Sequence, residues 1–261
     1  MKNHLLHCLA LLIFLFSSCS KDDNSDFLIP QKEQIASTTT ADETKVILWS
    51  DQPKLQVGYN PVYLSMEKAS GGYMESAVHI HSLMDMHSMS HSSPVEQPVH
   101  NKDSRLHEGA VVLTMPSGEM GNWTLEVAWD SQTAVLNIEA ISPPNNVKTV
   151  QTVVGKDDIR YTVSLVQPQH PKVGLNDVEF LINYRVDATS FPPAENLTLS
   201  FEPEMPSMGH GSPNNMQPQH IGKGHYSGKI NFTMTGDWRI HVKLSKNGAL
   251  VADGIYLDLQ F

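Results

Sequence analysis

Gly121-Asn122-Trp123-Thr124-Leu125-Glu126-Val127-Ala128-Trp129 and Gly236-Asp237-Trp238-Arg239-Ile240-His241-Val242-Lys243-Leu244 are the two stretches that decide the fold. In each, a Gly-Asx pair leads into a Trp, and apolar side chains follow at every second position: Leu125, Val127 and Trp129 in one, Ile240, Val242 and Leu244 in the other. A period of two puts those side chains on one face of a strand and the intervening ones on the opposite face, as in a sheet covering a core. The two stretches stand 115 residues apart (238 minus 123).

The likeness extends toward the N-terminus. Met86-His87-Ser88-Met89-Ser90-His91 matches Met205-Pro206-Ser207-Met208-Gly209-His210 at an offset of 119 (205 minus 86). At the same offset Val78-His79-Ile80-His81 lies opposite Leu197-Thr198-Leu199-Ser200, and Pro94 opposite Pro213. A small gap then takes the offset from 119 to 115. Further β-type runs, Lys45 to Trp49 and Tyr161 to Val166, open the two halves, with Gly, Pro, Asn and Asp between runs and no sustained 3.6-residue apolar period. A doubled pattern of short strands predicts an all-β chain of two tandem β-sandwich domains, 45–142 and 159–261, joined by a linker over 143–158 that opens with Pro143-Pro144-Asn145-Asn146.

Composition narrows the function. Hydrophobic residues at 40% and charged residues at 18% suit globular domains. A net charge of -10 argues against nucleic-acid binding, which needs clustered Lys and Arg. Two Cys allow neither a disulfide framework nor a Cys-based zinc site. No G-x-S-x-G, H-E-x-x-H or P-loop is present, and Glu202 and Glu204 at i, i+2 are too ordinary to imply a glycosidase, so no enzyme is expected.

The first 18 residues read as a signal peptide: Lys2, an apolar run from Leu5 to Phe16, then Phe16-Ser17-Ser18-Cys19. The run is too short to span a bilayer, and small residues ahead of a cysteine resemble a bacterial lipobox, which implies cleavage before Cys19 and lipidation of its thiol. Two or more acyl chains anchor stably, so the membrane is an expected partner through Cys19. Lys21-Asp22-Asp23 resembles the signal that sends some Gram-negative lipoproteins to the outer face of the outer membrane, which implies a cell-envelope location with surface exposure. Residues 19–44 read as a lipidated flexible tether, with 24–44 rich in Ser, Thr, Asp and Gln.

Met205-Pro206-Ser207-Met208-Gly209-His210, Gly224-His225-Tyr226 and Gly236-Asp237-Trp238 before a last strand resemble the YtkA-like family, close to FixH-like proteins. The resemblance covers 160–261 well and 45–142 less well, where Gly109-Ala110-Val111 stands in place of the Gly-x-Tyr element. It implies immunoglobulin-like β-sandwiches outside the cytoplasm, a link to copper handling and no catalytic activity.

The chemistry sits in the Met/His segments. From Met74 to His91, 18 residues hold four Met and four His. Thioether sulfur is a soft donor that suits Cu(I), and imidazole accepts Cu(I), Cu(II) and zinc, so a Met/His set without Cys points to copper in an oxidising compartment, Cu(I) favoured and Cu(II) accessible. Candidate ligands in the first repeat are Met86, Met89 and His91, with His87, Met84, His100 and the pair His79 and His81, which share one strand face. The second repeat offers Met205, Met208 and His210, joined by Met216 and His220 from a Pro/Asn/Gln-rich loop. It is expected to be the weaker site, because Thr198 and Ser200 stand where His79 and His81 do. Met115, Met120 and Met234 read as core residues, and His170 and His241 as surface residues. A copper-accepting or transporting protein is the expected macromolecular partner. A surface adhesion or scaffold module with no metal role is the alternative.

Overall fold

The computed structural model describes residues 31–86 and 88–261. The signal peptide, Cys19, Lys21-Asp22-Asp23 and His87 therefore lie outside the described residues.

The first half runs through β1 (Glu33–Thr39), β2 (Lys45–Ser50), β3 (Leu55–Gln56), β4 (Gly58–Glu67), β5 (His79–Asp85), β6 (Ser90–Ser92), β7 (Val95–Asn101), β8 (Leu106–Leu113), β9 (Asn122–Trp129), β10 (Gln132–Ile138) and β11 (Ala140–Ile141). A five-stranded sheet ordered β1-β2-β4-β8-β7 covers a four-stranded one ordered β10-β9-β5-β6, and short β11 pairs β3 in parallel. The second half has β12 (Val150–Val154), β13 (Arg160–Gln167), β14 (Gly174–Arg185), β15 (Thr198–Met205), β16 (His210–Gly211), β17 (Met216–Gly222), β18 (His225–Phe232), β19 (Asp237–Lys246) and β20 (Ala249–Gln260). Its sheets repeat the scheme: β12-β13-β14-β18-β17 over β16-β15-β19-β20. The chain is two tandem β-sandwich domains, as the alternating runs predict, and of the immunoglobulin-like kind that the resemblance implies.

Each core lies between its two sheets. Val46, Leu64 and Val111 from the larger N-terminal sheet meet Ile80, Met84, Trp123 and Leu125 from the smaller one. In the second domain Val163, Phe180 and Ile230 meet Leu199, Phe201, Trp238 and Ile240. Trp123 and Trp238 are fully buried, and each indole N–H donates to the carbonyl of a methionine, Met115 (2.9 Å) and Met234 (3.0 Å). Burying an aromatic of this size is favourable only if its polar tip finds a partner, which those carbonyls supply.

Three expectations need correcting. The tether is shorter than 19–44, because β1 pairs along β2 from Glu33 to Thr39. The linker is likewise shorter than 143–158, because β12 pairs along β13 from Val150 to Val154. Both are edge strands with mostly solvated side chains, so they show little of the alternation that marks a strand over a core. The repeat register also shifts. Gln97 bridges the backbone N–H and carbonyl of Ile80, and Gln217 does the same for Phe201, so Ile80 matches Phe201 at an offset of 121 (201 minus 80). His79 and His81 thus stand opposite Ser200 and Glu202 rather than Thr198 and Ser200.

The two sandwiches touch. Val112 packs with Val150, Val166 and Leu181, with Val57 and Tyr59 against them. Thr149 Oγ1 donates to the Val57 carbonyl (2.8 Å). Gly58 has φ 120°, and a Cβ there would lie 2.3 Å from Thr149 Oγ1, so only glycine lets the chains approach this closely. Beside this seam the His225 imidazole lies between Glu179 (Nδ1–Oε1, 2.6 Å) and Glu96 (Nε2–Oε1, 2.7 Å), and Tyr59 donates its hydroxyl to Glu96. Hydrogen bonds to Glu179 and then Glu96 outweigh burial and push the His225 pKa up to about 9. Burial alone would raise the Glu96 carboxyl, but the bonds from His225 and Tyr59 hold it below its ordinary value.

Candidate metal centre

The Met/His residues gather at the end of β5. Met84 stands directly opposite His91 across β5 and β6 and opposite Trp123 across β5 and β9. Opposed residues of an antiparallel pair share a face, so all three project toward the core end. His91 is half-buried, its ring edge-on to Trp123 with centroids 5.4 Å apart. Its Nε2 lies 3.4 Å from Met115 Sδ. The Trp123 bond to the Met115 carbonyl holds the loop that presents this thioether. Gly121, φ 146°, lets the turn pass: a Cβ would meet the Asp85 carbonyl at 2.2 Å and Met84 Cε at 3.2 Å. Met86 is partly buried against the same core and donates its N–H to the Met89 carbonyl (2.9 Å).

This arrangement suits a soft ion. With bonds of about 2.0 Å to nitrogen and about 2.3 Å to sulfur, donors 3.4 Å apart subtend about 105° at a shared ion, close to the tetrahedral angle. Met84 lies opposite His91 in the strand pairing, Met86 packs against the same core, and Trp123 lies edge-on to the imidazole. Among the described residues no three His, Cys, Asp or Glu side chains converge on one point.

The predicted ligands divide. His91, Met84 and Met86 come together. Met89 is 64% exposed and points away from the core. Met84 is fully buried, so it is a packing residue as much as a donor. His79 and His81 do share a face, but it is the outer one, with Ala128 and Glu126 opposite them, so they cannot reach the His91 cluster. His81 is half-buried rather than exposed, with its Nε2 out of solvent and unpartnered. Met115, read as core, does pack against the core at its margin, and its thioether also contacts His91. Met120 and Met234, also read as core, are exposed.

The second domain holds a reduced copy. Met205 pairs with His210 across β15 and β16, and His210 lies edge-on to Trp238 at 5.9 Å. Met205 is buried beneath Gly236, where a Cβ would meet its Cε at 2.2 Å. Met208 and Met234 are exposed. Met216 is exposed on β17, and His220 packs on Tyr226, whose hydroxyl bonds the backbone of Ala194 and Leu197. Leu197 precedes β15 and Met205 ends it, a separation of up to about 25 Å for eight extended residues, so His220 sits at the other end of the domain. His241 bonds Glu204 (2.7 Å) on the sheet surface.

Among the described residues no helix is long and apolar enough to cross a membrane. No curated protein matches the chain. Solved structures align weakly. The Escherichia coli adhesin FdeC gives a TM-score of 0.28 and 14% identity over 85% of this chain and 65% of its own. Domains 5-6 of the S-layer protein SbsC give 0.29 and 7% over 87% and 98%. Invasin, a bacterial integrin-binding protein, gives 0.27 and 12% over 84% and 39%. The chain therefore spans less than two thirds of the FdeC and invasin structures. The model of the YtkA-like family matches residues 156–243, which places the match on the C-terminal sandwich. The matched stretch holds the Met205/His210 turn and the buried Trp238.

Proposed function

We propose that the protein is a lipid-anchored, extracytoplasmic copper-binding protein whose main site lies in the N-terminal sandwich. The observation that carries this is the 3.4 Å approach of His91 Nε2 to Met115 Sδ, with Met84 and Met86 alongside. Soft sulfur sets the Cu(I) preference, and imidazole adds affinity for Cu(II). Met205 and His210 form the weaker counterpart: Met234, the counterpart of Met115, is exposed, and His210 Nδ1 bonds the Gly211 carbonyl. Cys19 supplies the anchor in the outer membrane, and Lys21-Asp22-Asp23 directs surface exposure. The partner is a copper-accepting or transporting protein.

Titration of Cu(I) against a competing chelator tests the reading. His91→Ala and Met115→Leu should each lower affinity at least tenfold, while Met208→Leu leaves it unchanged. Protons compete for the imidazole lone pair, so wild-type affinity should fall on acidification and the His91→Ala variant should show a flatter profile. Equal affinity in all variants, or tighter retention of zinc than of Cu(I), would move the assignment to a surface adhesion or scaffold module. The joined sandwiches, with Val112 packed on Val150 and His225 bridging Glu96 and Glu179, would serve that role equally well.

A further inference from the structure

We propose that His100 and His107 form a separate bis-imidazole seat for a borderline divalent transition ion, with Zn(II) as the test ion. The two stand directly opposite each other across β7 and β8, so both project to the inner face of the sheet. His107 is 1% exposed, and its Nε2 lies 2.9 Å from the Ser76 carbonyl. A carbonyl only accepts, so Nε2 carries the proton and Nδ1 presents a lone pair. That Nδ1 is buried with no hydrogen-bond partner, and so is Nε2 of His100. Leaving two such nitrogens unpaired is costly, and an ion between them would satisfy both. A ring nitrogen fixed by a backbone carbonyl on its far side is the usual support of a metal-ligating histidine.

The geometry sets the ion's class. Bonds of about 2.0 Å to nitrogen put the ion about 3.1 Å from each ring centre, and centres 5.0 Å apart then subtend about 105° at it. This is close to the angle of a tetrahedral site. Both donors are nitrogen, so the seat prefers Zn(II) and Cu(II) over the softer ion favoured by the thioethers. His100 is half-buried on β7, an edge strand, which gives an ion a route in. The seat shares no residue with the His91 cluster: Ser76 lies ahead of β5 and Met84 near its far end, so the two are on the order of 20 Å apart. The proposal does not depend on the copper reading.

The test uses the full chain in detergent, with histidine imidazoles labelled with 15N and Zn(II) titrated in. A background of His79→Ala, His81→Ala, His91→Ala and His210→Ala removes the imidazoles of the two Met/His clusters and of the outer β5 face without touching the buried pair, and the site-resolved signals separate it from the histidines that remain. The expected result is a saturable shift of His107 Nδ1 and His100 Nε2 at one equivalent, with the His107 Nε2–H retained. His100→Gln should abolish the His107 response while the remaining spectrum stays folded. A His107 signal unmoved by bound Zn(II), or a shift that survives His100→Gln, overturns the proposal.

Discussion

Replacing His225 with Gln removes the imidazolium that stands between Glu179 and Glu96 and thereby links the two sandwiches. With the His225 pKa pushed from 6.5 to about 9, its protonation couples to the folded arrangement by about 3 kcal/mol at 1.36 kcal/mol per unit. Solvent reaches the Glu96 and Glu179 side chains, which are 25% and 23% exposed, and trims the figure to about 2–3 kcal/mol. The sign follows from the raised pKa. The stabilisation is fully present below pH about 6.5 and is lost as pH climbs through about 9. Urea unfolding of wild type at pH 6 and pH 9.5 should therefore differ by about 2–3 kcal/mol more than that of His225→Gln. Titration of other groups over this range is common to both proteins and cancels in the comparison. At pH 6 the variant should itself be less stable by about 3 kcal/mol, because two carboxylates are left facing each other partly buried. Adding Glu96→Gln should recover part of that loss. Parallel pH slopes for wild type and His225→Gln would show that His225 does not link the domains.

Two further outcomes are expected. Trp123→Ala should cost about 3–5 kcal/mol in urea unfolding and free the Met115 loop, so Cu(I) affinity should fall with stability; a stable Trp123→Ala protein would refute the role given to this indole. Cys19→Ala should abolish palmitate labelling and leave an uncleaved precursor, and labelling that persists would overturn the lipobox reading.

The fold was legible wherever one face of a strand is buried. Trp123 to Trp129 and Trp238 to Leu244 alternate because β9 and β19 run down the middle of their sheets over a core. β1 and β12 escaped notice because an edge strand with solvated side chains carries its information in backbone pairing, which leaves no period in the sequence. The shift in register has a similar source: the offset of 119 holds in the loop, where His91 and His210 correspond, and fails in the strand before it. Met84 opposes His91 seven residues on, whereas Met205 opposes His210 after five, so the first loop is two residues longer and the strand offset is 121. The His225 contacts had no local signal at all, since Glu96 lies 129 residues away.

The same arithmetic of loops accounts for the difference between the two Met/His clusters. Eight positions separate Met115 from Trp123, but only four separate Met234 from Trp238. In both domains the indole N–H bonds the methionine carbonyl, so the backbone anchor is retained. The longer loop turns its thioether back onto His91, while the shorter one leaves Met234 in solvent. The sequence gives Met115 and Met234 the same core reading because each lies close to a predicted strand, and nothing in their neighbours distinguishes them. Loop length was the available signal. A site built from one imidazole and a thioether eight residues ahead of a buried Trp should be gained in the second domain if the Met234 to Trp238 loop is lengthened by the first domain's four extra residues.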